Sequence, residues 1–275
     1  MSNKIKRQAS QLQRQASSVA KVVATVGHEL GSSALATVMG KAETALAHVL
    51  GLAAPPSVGT APRVLLAIDA TESRKDMWTQ AQVAHRSLLQ GTDGRIAVQL
   101  AHFGGNDRLV CEPWTQDAAT LGKQIGRVVC KQGYTQINDV FRHARRLALA
   151  PERLAALVYV GDHVESQDQR LSGEAQALCR LGVRGFFFQD QAGCRCGFCH
   201  LNLPAGEHFM RRYAELMGGV FYPLGPGSGA TLAGLLQAVA TFSSGGHQAL
   251  ETLGAGDGRQ SAVAREVAYQ LTRKT

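Results

Sequence analysis

Apolar runs of strand length alternate with amphipathic runs of helix length from residue 63 to residue 242, and no other feature constrains the fold as tightly. The strand-like runs are VLLAI (64–68), IAVQLAHF (96–103), LVCEPW (109–114), LAALVYVG (154–161), VRGFFFQ (183–189) and VFYPL (220–224). Helical periodicity fills the intervals at 75–90, 117–130, 136–149, 172–181 and 206–217, and again at 230–242. Runs that are apolar at nearly every position belong to strands buried on both faces, and strand–helix alternation builds a mostly parallel sheet. LVCEPW is different: it follows its neighbour through the tight turn GGND (104–107), which makes it an antiparallel hairpin partner. The predicted fold is therefore α/β, a doubly wound, mostly parallel six-stranded sheet with one antiparallel edge strand, preceded by an N-terminal helical region. Such sheets bind ligands beyond the carboxyl ends of their strands.

The flanks divide the chain further. Residues 1–53 contain no Pro and carry a heptad pattern: Ile5, Leu12, Val19 and Val26 form one series, and Ala9, Ala16, Val23 and Leu30 a second. Gly31 interrupts it, and Leu35, Met39, Ala42, Leu46, Val49 and Leu50 line a second amphipathic stretch. This pattern suits a hairpin packed on its own domain. It also suits a docking arm or self-association through residues 5–30. A membrane-surface helix fits less well, because Lys4, Lys6, Arg7, Arg14 and Lys21 are basic but Trp and Phe anchors are missing. Pro and Gly mark 54–62 as a linker to a domain at 63–242. Residues 243–275 open with SSGGH and read as a C-terminal tail with a short helix near SAVAREVAYQL.

Composition excludes several classes. No apolar run approaches the roughly 18 residues needed to cross a bilayer, so no transmembrane segment is expected. The basic start MSNKIKRQASQLQRQ is not followed by a compact apolar core, so a secretory signal is not expected and the cytoplasm is the expected compartment. The six cysteines are then expected to be reduced. A net charge of +8 permits acidic partners, yet at 6% aromatic residues a base-stacking surface is not expected, which argues against nucleic acid.

The chemistry concentrates where strands end. VLLAI runs into Asp69, with hydroxyls at Thr71 and Ser73; GYTQIND supplies Thr135 just before a helix; VYVGDHVE supplies Asp162 at the end of another buried strand. Taken singly, these are ordinary cap and turn residues. Together on a doubly wound sheet they make an oxygen-only set, suited to Mg²⁺ or Mn²⁺ and poor for zinc. Hydroxyl and water ligands leave such a cation under-neutralised, able to accept a carboxylate from a partner.

In these residues the chain resembles the von Willebrand factor A domain, a family whose metal-ion-dependent adhesion site is written D-x-[ST]-x-S, then a separate Thr, then a separate Asp. Here the pieces are Asp69-Ala-Thr71-Glu-Ser73, Thr135 and Asp162, and the resemblance spans 63–242. It implies direct ligation by Thr71 and Ser73, by Thr135 when a ligand is bound, and water-mediated roles for Asp69 and Asp162. It further implies an intracellular bacterial protein-interaction module that receives a partner's Asp or Glu, working as an adaptor beside a MoxR-type AAA+ ATPase. The chain departs from the family at His163, where Gly is common, and adds the carboxylates Glu72 and Glu165.

Enzymatic readings find less support. A haloacid dehalogenase-type phosphatase needs D-x-D, and Thr71 takes the place of the second acid. No P-loop string and no G-x-S-x-G elbow occur, and GPGSGA (225–230) reads as a turn. No nucleophile stands beside an obvious base, so no enzyme is expected. The loop GCRCGFCH gathers Cys194, Cys196, Cys199 and His200, donors that suit Zn²⁺ or redox sensing, although the second pair of ligands usual for zinc is missing. Its C-x-x-C-H string matches haem attachment, which requires export. Cys111, Cys130 and Cys179 read as core residues. RHARRLALAPERL (142–154) reads as a solvated basic helix face. Two further functional readings follow: a structural adaptor acting through the N-terminal helices, and a zinc or redox sensor built on the cysteine loop.

Overall fold

The computed structural model describes residues 61–273, other than 91, 93, 105–107, 165–168 and 192–196. The heptad pattern of 1–53 and most of the linker at 54–62 lie outside the described residues. Six strands form one sheet: β1 (Arg63–Asp69), β2 (Ala97–Phe103), β3 (Val110–Cys111), β4 (Leu154–Gly161), β5 (Arg184–Asp190) and β6 (Val220–Leu224). Their order is β3-β2-β1-β4-β5-β6, with β3 antiparallel to β2 and every other pairing parallel. The α/β sheet expected from the alternation is the sheet observed.

Among the described residues seven helices flank it: α1 (Trp78–Arg86, entered through a 3₁₀ turn at Glu72–Met77), α2 (Ala118–Gly126), α3 (Ile137–Ala148), α4 (Gln169–Arg180), α5 (Gly197–Leu216), α6 (Gly229–Gly254) and α7 (Arg259–Thr272). The pleat sends successive residues to opposite faces. Val64, Leu66, Ile68, Val158, Val160, Phe186 and Phe188 pack in one apolar cluster with residues of α1, α2, α6 and α7. Leu65, Ala67, Leu157, Tyr159 and Phe187 pack in the other with α3, α4 and α5. Both faces are covered, which is why the strand sequences are almost wholly apolar.

Several expected boundaries shift for identifiable reasons. LVCEPW contracts to Val110–Cys111, because Pro113 has no N–H to donate. The edge nevertheless continues beyond the strand, with Glu112 N–H donating to Leu100 and Thr115 N–H to Val98. Helix α5 begins at Gly197 rather than 206 and runs through Pro204, whose exposed position lets the freed backbone meet water. The tail expected at 243–275 is corrected. Helix α6 passes through Ser243 and Ser244, and the break is confined to Gly246, at φ 67°, a left-handed conformation that glycine tolerates. Leu250, Val263, Ala264, Val267 and Leu271 then join the core cluster on the α1 face. The apolar spacing of SAVAREVAYQL is the stripe of a packed helix.

Candidate metal centre at the strand ends

Residue 69 is the last of β1, and its carboxylate is completely buried. The chain leaves the strand through a turn pinned on two sides: Ala70 N–H donates to Phe103 C=O at 2.8 Å, and Lys131 N–H donates to Ala70 C=O at 3.0 Å. Gly104 makes this approach feasible, since a Cβ there would lie 2.4 Å from the Ala70 carbonyl oxygen. The turn folds back on the aspartate, so that Thr71 N–H donates to Asp69 Oδ1 at 2.9 Å. The hydroxyls of Thr71 and Ser73 then face each other at 3.0 Å.

Beside β1 runs β4, with Ile68 in register with Val160, so Asp162 follows at the adjoining strand end and is buried. A Cβ at Gly161 would sit 2.8 Å from the Tyr159 ring, so the residue before Asp162 must be small. Gln189 of β5 donates its Nε2–H to the Asp162 carbonyl at 3.1 Å and fixes that turn. Thr135 is half-buried, two residues before α3, in the loop whose Lys131 pairs with Thr71. The structure thus joins Asp69, Thr71, Ser73 and Asp162 around two strand ends and places Thr135 on the neighbouring loop. On that loop Val129 and Tyr134 are 66% and 72% exposed, which leaves apolar surface beside the turn.

Two residues of this cluster escape sequence reasoning. Arg74 is only 1% exposed. Its Nη1 donates to the carbonyls of Asp69 at 2.6 Å and Val160 at 3.1 Å, and its Nε lies 3.5 Å from Asp190 Oδ2. Asp190 ends β5 and is itself buried. The available signal was the repeated pattern of an apolar run closing on an aspartate, in LLAID, YVGD and FFFQD alike.

The electrostatics favour a cation. Three carboxylates, Asp69, Asp162 and Asp190, and one guanidinium, that of Arg74, are buried around these strand ends. Burial, reinforced by the nearby Asp162 charge, pushes the Asp69 carboxyl up to about 7, against the opposing pull of Arg74 and of the hydrogen bonds from Thr71. Asp69 Oδ2 is buried without a hydrogen-bond partner, a costly arrangement unless a proton or metal ion meets it. The donors are all oxygen, matching a hard divalent cation, and on both counts the residues present fit one. No group of three or more His, Cys, Asp or Glu side chains placed to hold a metal occurs among the described residues, so hydroxyls must complete any ligand set here. In the cysteine segment, Cys194 and Cys196 lie outside the described residues. Cys199 and His200 lie on the first turn of α5 rather than in the loop expected from sequence. Cys111, expected in the core, is exposed on the edge strand.

No protein-family model and no curated protein matches the sequence. Solved structures do. One is the conserved hypothetical protein BatB from Bacteroides thetaiotaomicron, 17% identical, with a TM-score of 0.51 over 66% of this chain and 96% of that one. Another is a von Willebrand factor type A protein from Catenulispora acidiphila, 17% identical, with a TM-score of 0.51 over 68% of this chain and 43% of that one. The strand order, the single antiparallel edge and these likenesses agree. The chain has a von Willebrand factor A fold. A third similar structure is proximal thread matrix protein 1 from the mussel byssus, 13% identical, with a TM-score of 0.50 over 67% of this chain and 48% of that one. That structure has a zinc-occupied MIDAS motif. In the von Willebrand A fold of the present chain, helix α5 crosses close above the strand ends. A Cβ at Gly206 would come within 3.3 Å of the Asp162 carbonyl and the His163 backbone. No described helix is long and apolar enough to cross a membrane.

Proposed function

We propose that this chain is a protein-interaction module whose site binds Mg²⁺ or Mn²⁺ through Asp69, Thr71, Ser73, Thr135 and Asp162 and takes up an Asp or Glu of a protein partner. The observation that carries this reading is the buried, unpartnered Asp69 Oδ2 beside Asp162, with the hydroxyls of Thr71 and Ser73 gathered by the same turn. The bound ion would supply the positive charge that an incoming carboxylate needs. The chain's own residues shape the rest: the buried Asp69 carboxylate offers its unpartnered Oδ2, and the backbone around Ala70 holds the hydroxyls in place. Val129 and Tyr134 offer exposed apolar surface for the flanking part of a partner. The zinc-occupied motif of the mussel protein supports the choice of site. A nucleophile–base pair plays no part in this function.

The finer assignment extends the same reading. The module works in the cytoplasm as an adaptor of a MoxR-type AAA+ ATPase, and the heptad series in residues 5–30 supplies self-association. The cysteines around Cys199 and His200 form a separate Zn²⁺ or redox site in the alternative reading. Capture from native lysate tests the main proposal, with wild type or Asp69→Ala as bait, each in Mg²⁺ or EDTA. A protein retained only by wild type in Mg²⁺ is the expected result. A protein retained in all four conditions moves the function away from the strand ends and to the N-terminal heptad segment.

A further inference from the structure

Arg74 occupies an unusual place for an arginine. Its side chain is enclosed between the ends of β1, β4 and β5, where it donates to Asp69 C=O at 2.6 Å and Val160 C=O at 3.1 Å. Its guanidinium also lies 5.9 Å from the centre of the Trp78 ring, whose own N–H is taken by the Val128 carbonyl at 3.2 Å. The position is therefore fixed by backbone carbonyls and by packing, whatever else binds nearby. Its acidic neighbour is looser: Nε stands 3.5 Å from Asp190 Oδ2 and makes no hydrogen bond among the described residues. Asp190 consequently offsets the charge of Arg74 only in part. The remainder acts on Asp69, the residue whose carbonyl Arg74 holds and whose carboxylate belongs to the metal set.

We propose that Arg74 is the site's built-in counter-cation, a positioning residue that keeps the strand ends together without metal and lowers the site's affinity for a divalent ion, with Asp190 tempering that effect. The proposal rests on the metal-site reading above. Its logic is electrostatic. A fixed positive charge in the same water-poor cluster as a dication repels it, and a nearby carboxylate reduces the repulsion. The metal-free domain is then folded and ready, and the ion binds loosely enough to exchange.

Mn²⁺ titrations of the full chain followed by calorimetry test this, using wild type, Arg74→Met, Asp190→Asn and the double variant. Removing the cation is expected to tighten Mn²⁺ binding by roughly tenfold or more, and removing the carboxylate to weaken it by a similar factor. The double variant restores the wild-type charge balance and is expected to bind within about threefold of wild type. A merely structural role would weaken binding in all three. If Arg74→Met fails to fold, Arg74→Gln, which keeps an N–H donor while removing the charge, replaces it in both the single and the double variant. Binding by wild type with no variant tighter, and no recovery in the double, overturns the inference and leaves the metal site standing. No Mn²⁺ bound by any of the four chains overturns the metal-site reading and this inference with it.

Discussion

At the scale of residues, the site depends on a single carboxylate, that of Asp69. Burial beside Asp162 pushes its carboxyl up to about 7, whereas the same carboxyl in the unfolded chain releases its proton near its ordinary value of 3.8. Across that window the native, metal-free chain binds more protons than the unfolded chain, so stability falls as pH rises from about 4 to about 7. Thermal melts in EDTA are expected to show that decline, and Asp69→Asn, which cannot ionise, is expected to flatten it. Parallel profiles for the two proteins would show that Asp69 does not titrate in this way. Arg74 makes a second prediction. Breaking a buried ion pair from one side leaves an uncompensated charge, so Arg74→Met should cost roughly 3 kcal/mol or more in urea unfolding. These two residues also show where sequence reading stops. Asp69, Thr71, Ser73 and Asp162 were visible because hydroxyls and acids at strand ends are conspicuous. Arg74 was not, because an arginine in a polar stretch reads as surface. Only the convergence of three strand ends buries it.

Among the elements, the tight turns carry the site. Gly104 lets the segment after β2 press on Ala70 and hold the turn of Thr71 and Ser73. Gly104→Ala puts a methyl 2.4 Å from the Ala70 oxygen, and the strain should cost about 1–3 kcal/mol and loosen metal binding along with the fold. An unchanged urea midpoint would show that the turn yields easily. The strands were legible because their sequences are apolar on both faces. Helix ends were not, and the reason differs in each case. Pro204 and Gly206 look like a break in α5, yet the proline faces outward and the glycine serves a close crossing over Asp162. SSGG looks like a joint, yet only Gly246 leaves the helical conformation.

For the whole molecule, the largest departure from expectation is the C-terminal region. Helices α6 and α7 close one face of the sheet, and Leu250, Val263, Ala264, Val267 and Leu271 are buried there. Each of the four Leu and Val side chains contributes roughly 1.5–3 kcal/mol on burial, so deleting residues 243–275 should remove most of the fold's stability. Circular dichroism of the truncated chain is expected to show loss of cooperative melting; a sharp transition near that of the full chain would restore the view of this region as a tail. The same closed architecture leaves the carboxyl ends of β1, β4 and β5 as the place where buried charge gathers. The most direct test of the account is a Mn²⁺ titration of the intact chain at pH 8, read by electron paramagnetic resonance, with Asp69→Asn alongside. One Mn²⁺ per wild-type chain is expected, displaced by Mg²⁺, with binding weakened by about a hundredfold in the variant. Equal binding by both proteins, or none by the wild type, would contradict it.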